Sequence, residues 1–178
     1  MKRIVWPIAL VLAIGLTSQV NSAAKSGGVI KVKTVGLVLE VKAPDGRPVS
    51  IPANREVAAP SGTYPTVTLT QYAKDKSGVW SIESKGPFGS VKTISVDDGQ
   101  TTTVDAGAPL TVKTSVVPSK DPKTGAPVVS IGLQIMGTAN EVYSAATIKR
   151  GTIVVPAPKV QILDESGRTL ANGTFEYG

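Results

Sequence analysis

The sequence predicts an all-β protein, an antiparallel β-sandwich, and three observations carry that expectation. Apolar and polar residues alternate with period two over nearly every segment after Gly28. These runs are short and are cut off by Gly, Pro, Asp or Asn, the residues that turns require. No segment makes a comparable case for a helix of ordinary length.

Upstream of that pattern, Lys2-Arg3, the apolar run Ile4 to Leu16 and the small and polar residues Ser18 to Ala24 read as a cleavable export signal over residues 1–24. The apolar run contains Pro7 and falls short of the roughly 20 residues that cross a hydrocarbon core. Cleavage after Ala24 or after Ser22 leaves small residues at the processing site. The mature chain is therefore expected outside the cytoplasm, periplasmic, at the cell surface or secreted, with no stable membrane insertion after cleavage.

The strands follow in order. From Val29 to Val41, Ile30 and Val32 sit on one parity, whereas Val35, Leu37, Leu39 and Val41 sit on the other. The buried face must flip near Thr34-Val35, through a bulge or a switch between sheets. Thr66 to Thr70 alternates Val67 and Leu69 with threonines, and Trp80 with Ile82, then Ile94 with Val96, continue the pattern. Later runs are Leu110, Val112, Thr114, Val116; Val129, Ile131, Leu133, Ile135; Ile153 to Val155; Val160 with Ile162; and Phe175 with Tyr177. Asp45-Gly46, Asp98-Gly99, Ser166-Gly167 and Asn172-Gly173 read as tight turns. The polar stretch Ser119 to Pro127 reads as a loop joining two strands, and Pro156-Ala157-Pro158 as a connection at a sheet edge. A seam near Ala106 to Leu110 divides the mature chain into two small sandwich modules, 25–108 and 109–178. One continuous sandwich is the alternative, since no flexible linker separates the halves.

Composition narrows the function. The chain has no cysteine and no histidine, so it lacks disulfides, thiolate chemistry and the commonest general base and transition-metal ligand. The expectation is a protein that is not an enzyme. Lys and Arg number 19 against 13 Asp and Glu, but the excess is scattered, includes Lys2 and Arg3, and is not interleaved with aromatics. That argues against nucleic acid and leaves a protein or an anionic envelope polymer as partner.

Pro44-Asp45-Gly46-Arg47-Pro48-Val49, Ala59-Pro60-Ser61-Gly62-Thr63-Tyr64 and Val96 to Val104 together resemble transthyretin-like modules, among them the carboxypeptidase-regulatory-like and collagen-adhesin B-type families. In those families a D-G-x-P-V turn precedes an "aGtY" strand start, and a G-x-T-x-x-V turn opens a late strand. The tail from Pro158 to Arg168 and on to Phe175-Glu176-Tyr177-Gly178 is similar to the closing hairpin of an immunoglobulin-like sandwich and to the endings of exported bacterial proteins of uncharacterised function. These resemblances imply a non-catalytic, exported, adhesive or structural module, and they imply no ligand.

Candidate sites are few. Some adhesin B-type modules form a Lys to Asn or Asp isopeptide bond; Lys31 or Lys33, Glu56 or Glu83, and Asp105 are the residues available here, with both lysines on a solvated face. Asp97, Asp98 and Asp105 are the acids that could gather round calcium, against the plainer reading of turn residues. Tyr64 and Tyr72 share the threonine parity of one strand and could stack on sugar rings or anchor a partner, against the plainer reading that they cover a sheet. Trp80, on the Ile82 parity, is expected in the core. Asn172-Gly173-Thr174 matches a glycosylation triplet but is read as a hairpin turn. The resulting expectation is an exported structural or protein-interaction module at the envelope or extracellular matrix, with a polysaccharide or small-ligand binding module on Tyr64 and Tyr72 as the alternative.

Overall fold

A computed structural model of the chain describes residues 26–144 and 147–175. The expected export signal lies outside the described residues, as do Glu176, Tyr177 and Gly178. The first strands are β1 (Gly27–Val32), β2 (Leu37–Lys42), β3 (Pro48–Pro52), β4 (Glu56–Pro60), β5 (Gly62–Asp75), β6 (Gly78–Ser84), β7 (Thr93–Val96) and β8 (Thr101–Val104). They are followed by β9 (Thr111–Lys120), β10 (Pro127–Met136), β11 (Val142–Tyr143), β12 (Lys149–Arg150), β13 (Ile153–Val154), β14 (Lys159–Leu163) and β15 (Thr169–Thr174). The all-β class holds. Among the described residues no helix is long and apolar enough to cross a membrane.

The core lies between two sheets. One is three-stranded, in the order β4-β1-β8, and the other runs β13-β12-β6-β5-β2-β3 with β7 paired to β5. Ile30 and Val32 of β1 bury themselves from the first sheet, and Leu37, Leu39 and Val41 of β2 from the second, all fully. The parity flip at Thr34-Val35 is thus a switch between sheets, turned by a hydrogen bond from the Leu37 N–H to the Thr34 carbonyl at 3.2 Å.

A second flip, inside β5, escapes the alternation rule. Val41 pairs with Thr66 and Glu40 with Thr68, which leaves Val67 as an extra residue on β5. On one side of this bulge Tyr64 and Thr66 point inward, and on the other Leu69 and Gln71 do. β5 also changes neighbours there: Gly62 to Pro65 pair with β7, Leu69 to Asp75 with β6.

The expected division into 25–108 and 109–178 does not follow the strand pairing. β8 does end just before Ala106, but β12 returns to pair Lys149 with Ser81 and Arg150 with Trp80. Ala139 and Tyr143 belong to the same buried cluster as Leu39. The first sandwich therefore takes strands from both expected halves. What remains of the second half is the long β9–β10 hairpin, continued by β11, and the separate β14–β15 hairpin. No further strand joins β14 or β15 among the described residues, so these two ribbons do not by themselves make the closed immunoglobulin-like sandwich that the tail suggested.

Turn chemistry is mostly as expected. Asp45 caps the β2–β3 turn, its carboxylate accepting the Arg47 N–H at 3.1 Å, and Asp121 caps the β9–β10 tip through the N–H groups of Lys123 and Thr124 at 2.8 and 2.7 Å. Asn172-Gly173 is the exception, because both residues lie within β15, opposite Gln161 and Val160. The hairpin bends earlier, where Asp164 accepts the N–H groups of Ser166 and Arg168 at 3.0 and 2.9 Å. A Cβ on Gly173 would meet a Val160 methyl at 3.1 Å, a tight contact across the hairpin.

Candidate functional site

The two tyrosines do not share a surface. Tyr64 is 1% exposed and its hydroxyl donates to the Pro60 carbonyl at 2.6 Å, a short-range tie between β4 and the start of β5. Burial, and secondarily the Asp45 carboxylate, raise its pKa above the usual tyrosine value. Tyr72 is 44% exposed. The Val67 bulge is the reason: without it the two would share a face, and with it they point to opposite sides of the sheet. A stacking platform made of Tyr64 and Tyr72 is therefore not formed.

The acids named for calcium are also kept apart. Asp97 and Asp98 lie in the turn before β8, and Asp105 lies beyond its other end. Asp105 accepts from the Lys33 ammonium at 3.2 Å and from the Thr34 hydroxyl at 3.4 Å. Lys33 and Asp105 are thus brought together, as an isopeptide bond would need, but their side chains are 67% and 59% exposed. The pair is an ordinary surface ion pair. Lys31 makes the equivalent pair with Glu56 at 2.9 Å.

Trp80 stands at a rim rather than in the core. Its indole N–H donates to Asp75 Oδ2 at 3.0 Å and to the Ser77 hydroxyl at 3.2 Å. The Arg150 guanidinium lies 5.8 Å from the ring centroid, placed there by the pairing of β12 with β6. Beside it runs an apolar groove of 290 Å³, lined by Trp80, Ile82, Ile148, Leu110, Val112 and Ile135. It marks the angle between the first sandwich and the root of the β9–β10 hairpin.

From that groove an apolar stripe continues outward. The register pairs Val112 with Ile135, Thr114 with Leu133, Val116 with Ile131 and Pro118 with Val129, all on one face of the hairpin. The β14–β15 hairpin stands over the β10 half of this stripe. Between them is an open space of 540 Å³, walled by Val129, Ile131 and Leu133 on one side and Val160, Ile162 and Phe175 on the other. None of the wall comes from β9, where Val112 and Val116 are 59% and 64% exposed. Val117 and Val128 are exposed on the opposite face.

The sequence marked these residues as strand runs. The valine doublets Val116-Val117 and Val128-Val129 were the available sign that the hairpin also exposes apolar side chains on its second face, which is otherwise mostly polar. Glu141, fully buried, was missed altogether, since nothing in its neighbours in the chain distinguishes it from a surface acid. No family model, curated protein or solved structure matches this chain.

Proposed function

We propose that this protein is an exported, non-catalytic structural or protein-interaction module of the cell envelope or extracellular matrix, and that it engages a protein partner through its C-terminal ribbons. The observation that carries the reading is the uncovered apolar face of β9, with Val112 and Val116 more than half exposed beside an open space already walled by β10 and the β14–β15 hairpin. Exposed apolar strand surface of this kind is a cost to a solitary soluble domain and an asset to one that binds. Open strand edges supply backbone donors and acceptors for a partner's strand. The first sandwich, with its closed core, acts as the rigid support. The absence of histidine and cysteine from the sequence removes the commonest general base and the thiol nucleophile, which favours binding over turnover.

Photo-crosslinking tests it. A photoreactive residue at Val116 in cells of the source organism is expected to form a discrete adduct with an envelope or matrix protein, and one at Val67, exposed on the first sandwich, is not. Absence of any adduct from Val116, or efficient turnover of a substrate by the purified protein, would count against the proposal.

A further inference from the structure

We infer that the uncovered face of β9 seats one extended peptide segment of a partner protein, apolar at alternate positions and acidic at its ends. This rests on the interaction reading above and specifies its occupant. Residues on one side of a strand recur every second position, so Val112, Thr114, Val116, Pro118 and Lys120 share the face. Their span is about 27 Å, the length of an extended segment of roughly eight residues.

The stripe has basic groups at both ends. Lys120 closes it at the hairpin tip, with Lys123 nearby in the turn, and neither has an ion pair among the described residues. The acid beside them, Asp121, has one oxygen committed to the Lys123 and Thr124 N–H groups. At the root, Arg150 lies over Trp80, a residue that lines the apolar groove together with Val112. The Arg150 guanidinium has no carboxylate partner among the described residues.

An occupant with alternating valine-like side chains would cover Val112 and Val116, beside the open space that Ile131 and Leu133 share with the β14–β15 hairpin. Lying beside that hairpin, it could also take up unused backbone donors and acceptors on the hairpin's free edge, extending a two-stranded sheet to three. Acidic ends would meet Lys120 and Arg150. A second copy of this chain brings the same basic ends and is disfavoured by Coulomb repulsion.

The test uses the purified protein and three labelled synthetic peptides of roughly ten residues. One alternates valine and threonine between terminal glutamates, the second replaces the glutamates with lysines, and the third keeps the composition of the first with the valines clustered. Fluorescence anisotropy is expected to show saturable binding of the first peptide and at least tenfold weaker binding of the other two. Val116→Asp and Lys120→Glu are each expected to weaken the first peptide at least tenfold, and Val67→Asp to leave it unchanged, with unaltered melting curves showing that all three variants fold. Equal affinity for the glutamate and lysine peptides, or no binding of either, overturns the inference. So does self-association by sedimentation that Val116→Asp abolishes, because the occupant is then a second copy. A discrete adduct from Val116 in the crosslinking experiment together with failure of the peptides leaves the interaction reading standing and removes this one alone; failure of both removes both.

Discussion

The Glu141 carboxylate accepts the backbone N–H of Gly107, so a buried acid in the loop after β10 ties down the segment that leaves β8. The same carboxylate accepts the Ala139 N–H at 2.9 Å and the Tyr143 hydroxyl at 3.3 Å. Two chain segments more than thirty residues apart, on either side of the β9–β10 hairpin, are thereby fastened at the hairpin's root. The hairpin can project away from the core because both of its ends are held. Burial, and then the Glu141 charge and hydrogen bond, push the Tyr143 phenol well above the usual tyrosine range, so Tyr143 stays a donor at any ordinary pH.

Removing the carboxylate strands its donors. Glu141→Ala leaves two backbone N–H groups and a phenol without their acceptor, and each buried unsatisfied group costs about 1–3 kcal/mol. Chemical denaturation is expected to show a loss of about 3 kcal/mol or more. Tyr143→Phe, which removes one bond and leaves the carboxylate its two N–H donors, is expected to cost about 1 kcal/mol. A loss no larger for Glu141→Ala than for Tyr143→Phe would contradict the fastening role.

Close approach around the same carboxylate gives a second prediction. A Cβ on Gly137 would lie 1.9 Å from Glu141 Oε1 and 2.8 Å from the Gly107 carbonyl oxygen. Gly137→Ala is therefore expected to destabilise the protein by about 1–3 kcal/mol, the usual range for overpacking. The double variant Gly137→Ala, Glu141→Ala should lose less than the sum of the singles, measured as a double-mutant cycle.

Acid sensitivity should begin at the hairpin turns. Asp75, Asp121 and Asp164 have carboxyls held below the ordinary aspartate value. The Ser77 hydroxyl and N–H lead for Asp75, the Thr124 and Lys123 N–H groups for Asp121, and the Ser166 hydroxyl and Arg168 N–H for Asp164. A lowered folded-state pKa means that the unfolded chain binds protons more tightly. The stabilisation is whole above the ordinary value of 3.8 and is lost as pH falls through the lowered ones. Carbon-13 titration of the three carboxyls is expected to give midpoints below that of a model aspartate. Titration at or above the model value would remove the turn-capping explanation.

The sequence made the first sandwich readable wherever alternation ran unbroken. Ile30 with Val32 and Leu37 with Leu39 fixed two strands and the switch between them, because a two-residue period admits one buried face. It failed at Val67, where one extra residue reverses the faces without any local mark in composition. It failed again at Asn172-Gly173, a good turn dipeptide overruled by an earlier turn that Asp164 secures with backbone bonds. In β9 the alternation was read correctly as a strand, but its exposure was not legible, since period two tells which residues share a side and not whether another sheet lies over it. Glu141 acts through groups distant in sequence, Gly107 above all, and a single chain carries no record of such contacts.

The bulge itself can be put to the test through the two tyrosines it separates. Tyr64 fills the core and spends its hydroxyl on Pro60. Tyr64→Phe is therefore expected to cost about 1 kcal/mol for the lost bond, and Tyr64→Ala about 3–5 kcal/mol for the cavity left by an aromatic ring. Tyr72→Ala, on the outer side of β5, is expected to stay within about 0.5 kcal/mol. Deleting Val67 puts the stretches before and after it in one alternation, so either Tyr64 and Thr66 or Leu69 and Gln71 must turn outward. A large loss of stability is the expected result of that deletion, read by urea denaturation. Replacing Val67 with threonine keeps the residue count and should have little effect. If the deletion were tolerated as well as the replacement, β5 would be a regular strand and the separation of the two tyrosines would have another cause.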